Sequence, residues 1–409
     1  MKKIILTFIF LLPLFLFACS SNNESGIKRQ LKIDEQKNQE LILESEAKAE
    51  ADKKAKEESE AKAEADKKAK EESEAKAEAD KKAKEESEAK AEADKKAKEE
   101  SEAKAVPTIV GTVNFQVDIQ QVTTSSQLGQ ASIIGPSLID LKSGGYRLYL
   151  QARAGKNDKN NAEGVNILSL ISSDGIEWNI EPGIRIKHGT QFDVDSEAGE
   201  PGVYLGMDEK YYMAYTGRFM GVNKRGLKQT MHRIVFAVSD DGLTWSKLNK
   251  HYSDPENIND FASSADVHLI NRQYVIYYTG QRNIIRATSH DGLQWTRKKI
   301  AVSIGHDSTM VKYEDTYYMF VIMPKTLLYP RNATTENDIL FLLVSDNGID
   351  WSENYYQVII KDSDGNEVKA QDIQDPGAIV LSDGSLRVFL NNHGGKIIYS
   401  IKPTEKLPK

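Results

Sequence analysis

The chain has 409 residues, 54 basic against 61 acidic, and a formal net charge of −7. That mildly acidic balance gives no electrostatic footprint for nucleic acid. The single cysteine, Cys19, excludes an internal disulfide.

Residues 1–18 read as a secretory signal. Lys2 and Lys3 precede an apolar run from Ile4 to Phe17, broken only by Thr7 and Pro13. The run is too short for a helix that stays in a bilayer. The closing Leu16-Phe17-Ala18-Cys19 resembles the processing site of a bacterial lipoprotein. That resemblance implies a lipidated Cys19, membrane attachment through its acyl chains and an extracytoplasmic place in the cell envelope.

Residues 19–44 form a tether. Residues 45–105 hold four copies of SEAKAEADKKAKEE followed by SEAKA. Ala, Glu and Lys are strong helix formers, and pairs such as Glu50 with Lys54 and Glu58 with Lys62 stand at i, i+4. The expected element is a long charged α-helical stalk, either a lone rod or a weak coiled coil seamed by alanine. Fully helical from Ile27 to Ala105, it would reach about 120 Å. Val106-Pro107 ends it.

From 106 to 409 the pattern changes to short alternating strands, and an all-β domain is expected. All four tryptophans close one repeated phrase: Ser172 to Trp178, Ser239 to Trp245, Ser289 to Trp295 and Ser345 to Trp351. Each carries Asp-Gly or Asn-Gly at its turn, which suits a strand reversal. Five aromatic strands begin at Tyr146, Tyr211, Tyr274, Tyr317 and Leu386, each preceded by a short apolar strand. Repetition at this period with four strands per unit predicts a five-bladed β-propeller. The fifth unit lacks its Trp phrase, so Val113 to Val122 is expected to supply the missing strand and close the ring.

The Pro-led inner strand, the Tyr-rich strand and the Ser-x-Asp-Gly-x-x-Trp turn together resemble the five-bladed glycoside hydrolases of the arabinanase/xylosidase and fructosidase type. The resemblance spans about 125–401 and implies carbohydrate as partner and glycoside hydrolysis as the reaction class. In those enzymes an Asp before the first inner strand serves as base, and here Gly135 stands there.

Inner strands start at the channel rim, so aligning the units places Gly135, Glu200, Ala265, His306 and Asp375 around the axis, with Asp266 and Asp307 following. Paired carboxylates, one protonated and one ionised, are what glycoside hydrolysis requires. Glu200 is the expected proton donor and Asp375 the base or nucleophile, with Asp266 and Asp307 tuning both. His306, Arg153, Arg218, Arg282 and His393 are expected substrate contacts. The segment 184–199, with Asp193 and Asp195, could wall the pocket or be a surface loop. No metal triplet or cofactor motif is legible, so neither is expected, and the chain is expected to be a monomer. The competing expectation is a glycan-binding receptor or adhesin that the stalk holds off the membrane without cutting its ligand.

Overall fold

The computed structural model describes residues 108–155, 164–324, 338–369, 372–392 and 394–409, together with six scattered positions between Glu50 and Lys70. The expected signal, Cys19 and nearly all of the expected stalk lie outside the described residues. Two compact units divide the chain, Met1–Glu100 and Ser101–Lys409.

The second unit is all-β. Blade 1 runs β2 (Ser132–Asp140), β3 (Tyr146–Arg153), β4 (Val165–Ser172) and β5 (Asn179–Ile180). Blade 2 runs β6 (Glu197–Leu205), β7 (Tyr211–Val222), β8 (Lys228–Ser239) and β9 (Ser246–Tyr252). Blade 3 runs β10 (Ser263–Ile270), β11 (Gln273–Thr279), β12 (Ile284–Ser289) and β13 (Thr296–Val302). Blade 4 runs β14 (His306–Tyr313), β15 (Thr316–Pro324), β16 (Asp338–Ser345) and β17 (Asn354–Lys361). Blade 5 joins β18 (Gln374–Val380), β19 (Leu386–Asn391) and β20 (Ile397–Pro403) to β1 (Thr108–Thr124). The inner strands β2, β6, β10, β14 and β18 pack in a closed ring, β18 returning to β2. The five-bladed propeller expected from the repeats is therefore the fold.

The Trp phrases are built alike. In the first, Ser172 Oγ accepts from Gly175 N at 2.8 Å, and Asp174 Oδ1 accepts from Ile176 N and Glu177 N at 2.8 and 2.9 Å. The same bonds recur at Asp241, Asp291 and Asn347. Each turn glycine has φ between 68° and 76°, a region where a side chain is strained. The indoles then cross to the preceding blade. Trp178 sits edge-on to Phe389, Trp245 to Tyr149 and Trp351 to Tyr277, with centroids 5.7, 5.7 and 5.9 Å apart. Trp295 stacks on Phe236. The repeated tryptophan is thus a blade-to-blade fastener, and such aromatic pairs add about 0.5–1.5 kcal/mol beyond their buried area.

Candidate functional site

Every inner strand carries a bulge near its start, seen as a register break against its neighbour at 134/137, 199/202, 263/266, 306/308 and 374/377. Within each bulge one residue has a left-handed backbone: Gly135 at φ 63°, Glu200 at 44°, Ser264 at 48°, Asp307 at 46° and Asp375 at 46°. A bulge re-aims a side chain and is typical of functional rims. These five residues, one per blade, line the upper part of a central cavity of about 410 Å³.

The bulge corrects the alignment read from sequence. In blades 3 and 4 the rim residues are Ser264 and Asp307, not Ala265 and His306. Blades 1, 2 and 5 carry Pro136, Pro201 and Pro376 directly after the rim residue, whereas Ala265 and Ser308 hold that place in the other two. Without proline to mark it, the register slipped by one.

Polar side chains on the second strand of the preceding blade fix three of the bulges. Ser264 N donates to Thr216 Oγ1 at 2.9 Å, Asp307 N to Thr279 Oγ1 at 2.9 Å and Gly135 N to Asn391 Oδ1 at 3.3 Å. Thr216 and Thr279 belong to the two Tyr-Thr-Gly phrases visible in the sequence.

Glu200, Asp307 and Asp375 meet at the rim. Ser264 Oγ lies 2.9 Å from Glu200 Oε2 and 2.5 Å from Asp307 Oδ1, so its single proton serves one carboxylate at a time. Arg218 Nη2 donates to Glu200 Oε1, and its Nη1 donates to Gln151 Oε1 at 3.1 Å. His306 Nδ1 lies 2.7 Å from Asp307 Oδ2, and its Nε2 lies 3.9 Å from Asp338 Oδ1.

This crowding drives the charge states apart. Burial pushes the Asp375 carboxyl up, and the charges of Asp307 and Glu200 push it further, well above the carboxylate range. It donates its proton toward Asp307. Burial also pushes Asp307 up, but His306 and Ser264 outweigh it and hold that carboxyl at about 2. Burial alone would lower the His306 imidazole, yet Asp307 and Asp338 raise it to about 10. The rim thus sets an Asp375 carboxyl that resists ionisation beside an Asp307 carboxylate that favours it and a His306 imidazole that favours its proton. Asp307 is still 23% exposed, so the group faces the cavity rather than the core.

The other expected site residues stand outside this cluster of rim carboxyls, although Asp266 lines the same cavity. Asp266 sits one layer deeper, where its Oδ2 accepts from Met310 N at 2.5 Å and pairs with His268 Nε2 at 2.7 Å. Ser137 and Thr309, at the same place in their blades, likewise accept from Val203 N and Ala378 N of the next inner strand. The Asp266 carboxylate therefore laces blade 3 to blade 4. Arg153 is forked onto Glu197 at 3.0 and 3.1 Å. Arg282 is exposed after β11, its carbonyl accepting from Gly305 N. His393 lies outside the described residues. In the 184–199 segment, Asp195 is buried on Tyr215 Oη and Lys247 Nζ, and Asp193 caps Thr190 N.

Sequence reasoning missed Ser264, Glu197, Gln151 and His232. His232 pairs across from Arg218, stacks on Phe261 with centroids 4.6 Å apart, and has a buried Nδ1 with no partner. Burial and then the Arg218 charge lower its pKa. None of the four stands in a repeated phrase, so spacing gave no signal for them. Among the described residues no group of three or more His, Cys, Asp or Glu side chains is arranged to hold a metal ion.

No protein-family model and no curated protein sequence matches the chain. Solved structures do. A glycosyl hydrolase from Bacteroides ovatus aligns with a TM-score of 0.54 at 11% identity, over 73% of this chain and 96% of that one. A structure from work on the GH130 family of mannoside phosphorylases and glycoside hydrolases aligns at 0.52 and 12%, over 73% and 97%. A family 117 glycoside hydrolase from the marine bacterium Zobellia galactanivorans aligns at 0.51 and 14%, over 71% and 90%. At these identities the likeness establishes the fold: a glycoside-hydrolase-like five-bladed propeller.

Proposed function

We propose that the rim is a carbohydrate site and that the protein is a glycoside-hydrolase-like enzyme of the cell envelope. The observation that carries this reading is the meeting of Glu200, Asp307 and Asp375 in one cavity, where burial and neighbouring charge push Asp375 toward its protonated form while His306 and Ser264 favour an ionised Asp307. Asp375 is the general acid, its proton turning away from its hydrogen bond to Asp307 and passing from Asp375 to the glycosidic oxygen as the sugar enters. Asp307 is the base or nucleophile, and His306 and Ser264 keep it ionised. Relative to the roles expected from sequence, Asp375 becomes the acid. Glu200, held by Arg218, becomes the group that orients substrate. Lipidated Cys19 anchors the protein, and the repeats serve as its spacer.

A second reading, binding without cleavage, is favoured by two observations. The acid and the ionised carboxyl bond directly to each other, closer than the roughly 5 Å or more of the hydrolytic geometries. Gly135 also leaves the first blade without a carboxyl at the rim.

The test is incubation of the full chain with neutral oligosaccharides and aryl glycosides, beside Asp375→Asn and Asp307→Asn. Loss of a general acid or base typically lowers rate by about a hundred-fold or more, and that is expected for each variant. Cleavage at full rate by both variants would overturn the assignment. Saturable binding with no product would establish the second reading. For the anchor, Cys19→Ala is expected to move the protein from the membrane to the soluble fraction.

A further inference from the structure

Two arginines meet at the edge of the carboxyl rim. Arg153 closes β3 of blade 1, and Arg218 lies on β7 of blade 2, paired across from Glu197 at the start of β6. Arg153 grips Glu197 with both terminal nitrogens, Nη1 to Oε1 at 3.0 Å and Nη2 to Oε2 at 3.1 Å. Arg218 Nη1 approaches Glu197 Oε2 at 4.0 Å, and its other arm is on Glu200. A planar guanidinium that meets a carboxylate with two parallel bonds is the arrangement by which proteins recognise acidic ligands. Here the chain supplies that carboxylate itself, one guanidinium away from Glu200.

The placement leaves the clamp open to ligand. Arg153 and Glu197 are 47% and 34% exposed, so the pair faces solvent beside Arg218 and Glu200 and is not a core contact. An exposed pair contributes little to folding, which leaves its presence at this point unexplained by stability. Its effect on binding is larger. A carboxylate fixed to the same chain acts at a high effective concentration, which a free ligand at ordinary concentration does not match. Its negative charge also adds to those of Glu200 and Asp307.

We propose that Glu197 is the specificity-determining residue of this rim. It fills a two-arginine clamp that would otherwise seat the carboxylate of an acidic sugar, and so restricts the site to uncharged glycans. This rests on the carbohydrate reading of the rim. Replacing Glu197 with glutamine keeps the size of the side chain and one acceptor but removes the charge. Arg153 is then released to an incoming carboxylate, Arg218 adds its charge from its place on Gln151 and Glu200, and uronic-acid glycans become ligands.

The experiment compares matched pairs that differ only in charge, oligogalacturonides and oligoglucuronides against their methyl esters, by calorimetry on the full chain. Wild type is expected to bind esters and reject acids. Glu197→Gln is expected to bind acids at least about tenfold more tightly than wild type does, since a charge-assisted hydrogen bond is worth about that much or more. Adding Arg153→Gln to that variant should remove the gain, and added salt should weaken it. A thermal melt of each variant checks folding, and Glu197→Ser is a second charge-free substitution should the glutamine fold poorly. Wild type binding acids as tightly as esters overturns the proposal. So does binding of esters by both forms with acids still rejected by the charge-free variants, which leaves the carbohydrate reading standing. Binding of neither member of any pair by wild type and by the charge-free variants overturns this inference, and the neutral oligosaccharides and aryl glycosides then decide the carbohydrate reading separately.

Discussion

Left-handed backbone at Glu200, Ser264, Asp307 and Asp375 costs on the order of 1–3 kcal/mol per residue, and such strain persists only where the surroundings enforce it. The enforcement here comes from bulges, from proline or a small residue immediately after, and from threonines of the preceding blade. What the strain secures is convergence of the rim side chains on one point, and the charges there make stability depend on pH. The folded pKa of His306, about 10, lies above the ordinary value of roughly 6.5. Its contribution is therefore fully present below pH 6.5 and is lost as pH rises toward 10. Asp307, held at about 2, contributes above its ordinary pKa and loses that contribution as pH falls toward 2. Asp375 runs the other way. Its raised pKa favours the fold at low pH and weakens it as pH climbs above roughly 4. The melting temperature should then fall between pH 6.5 and 10. In His306→Gln it should start lower at pH 6 and fall much less across that window. Parallel curves for the two proteins would show that His306 does not set the alkaline limit.

At the scale of the element, the inner strands approach one another so closely that two positions admit no side chain. A Cβ on Gly202 would lie 1.9 Å from the carbonyl oxygen of Ala265, and one on Gly377 would lie 2.0 Å from that of Pro136. Backbone on both sides cannot yield as a side-chain tip can. Gly202→Ala and Gly377→Ala are each expected to cost about 1–3 kcal/mol, the usual range for overpacking, read as a fall in denaturation midpoint. Gly384→Ala is the contrasting control, since no atom lies within 4 Å of its would-be Cβ and only its φ of 82° opposes the change. Equal stability of Gly202→Ala and wild type would mean the inner ring is looser than it looks. The same elements explain what could be read in advance. The Trp phrases, the aromatic strands and the missing fifth outer strand are local patterns repeated at a period, so the blades were legible. The rim was legible where proline follows the rim residue, at Glu200 and Asp375. It was not at Ser264, because a bulge is a two-strand property and one strand's sequence does not report it. Glu197 and His232 were illegible for a related reason: their partners come from other strands, at separations no short window spans.

At the scale of the molecule, ring closure rests on one strand. Residues Thr108–Gln116 of β1 run parallel to β17 of blade 4, and residues from Phe115 to Thr124 run antiparallel to β20 of blade 5. The strand thus completes blade 5, as the sequence led one to expect. It also joins blade 5 to the outer edge of blade 4 in an eight-stranded sheet, which the sequence did not suggest. Its grip is both apolar and ionic. Phe115 is buried edge-on against Phe320, with centroids 5.7 Å apart. Asp118 accepts from Arg387 Nε at 2.6 Å and from Ser400 Oγ at 2.5 Å, and the Asp118–Arg387 pair is less than a tenth exposed. Asp118→Ala strands the Arg387 guanidinium in the blade, and removing one partner of a buried pair costs about 3–5 kcal/mol. A chain beginning at Gln127 loses the whole strand and leaves the edges of β17 and β20 open, an invitation to pair with other chains. Asp118→Ala should therefore remain folded with a lowered melting temperature. The chain lacking β1 should aggregate on expression, and a synthetic peptide of residues 108–124 supplied during refolding should recover monomer. A truncated chain that folds as a stable monomer without the peptide would show that the other four blades and three strands of the fifth suffice, and that β1 is an accessory to the ring.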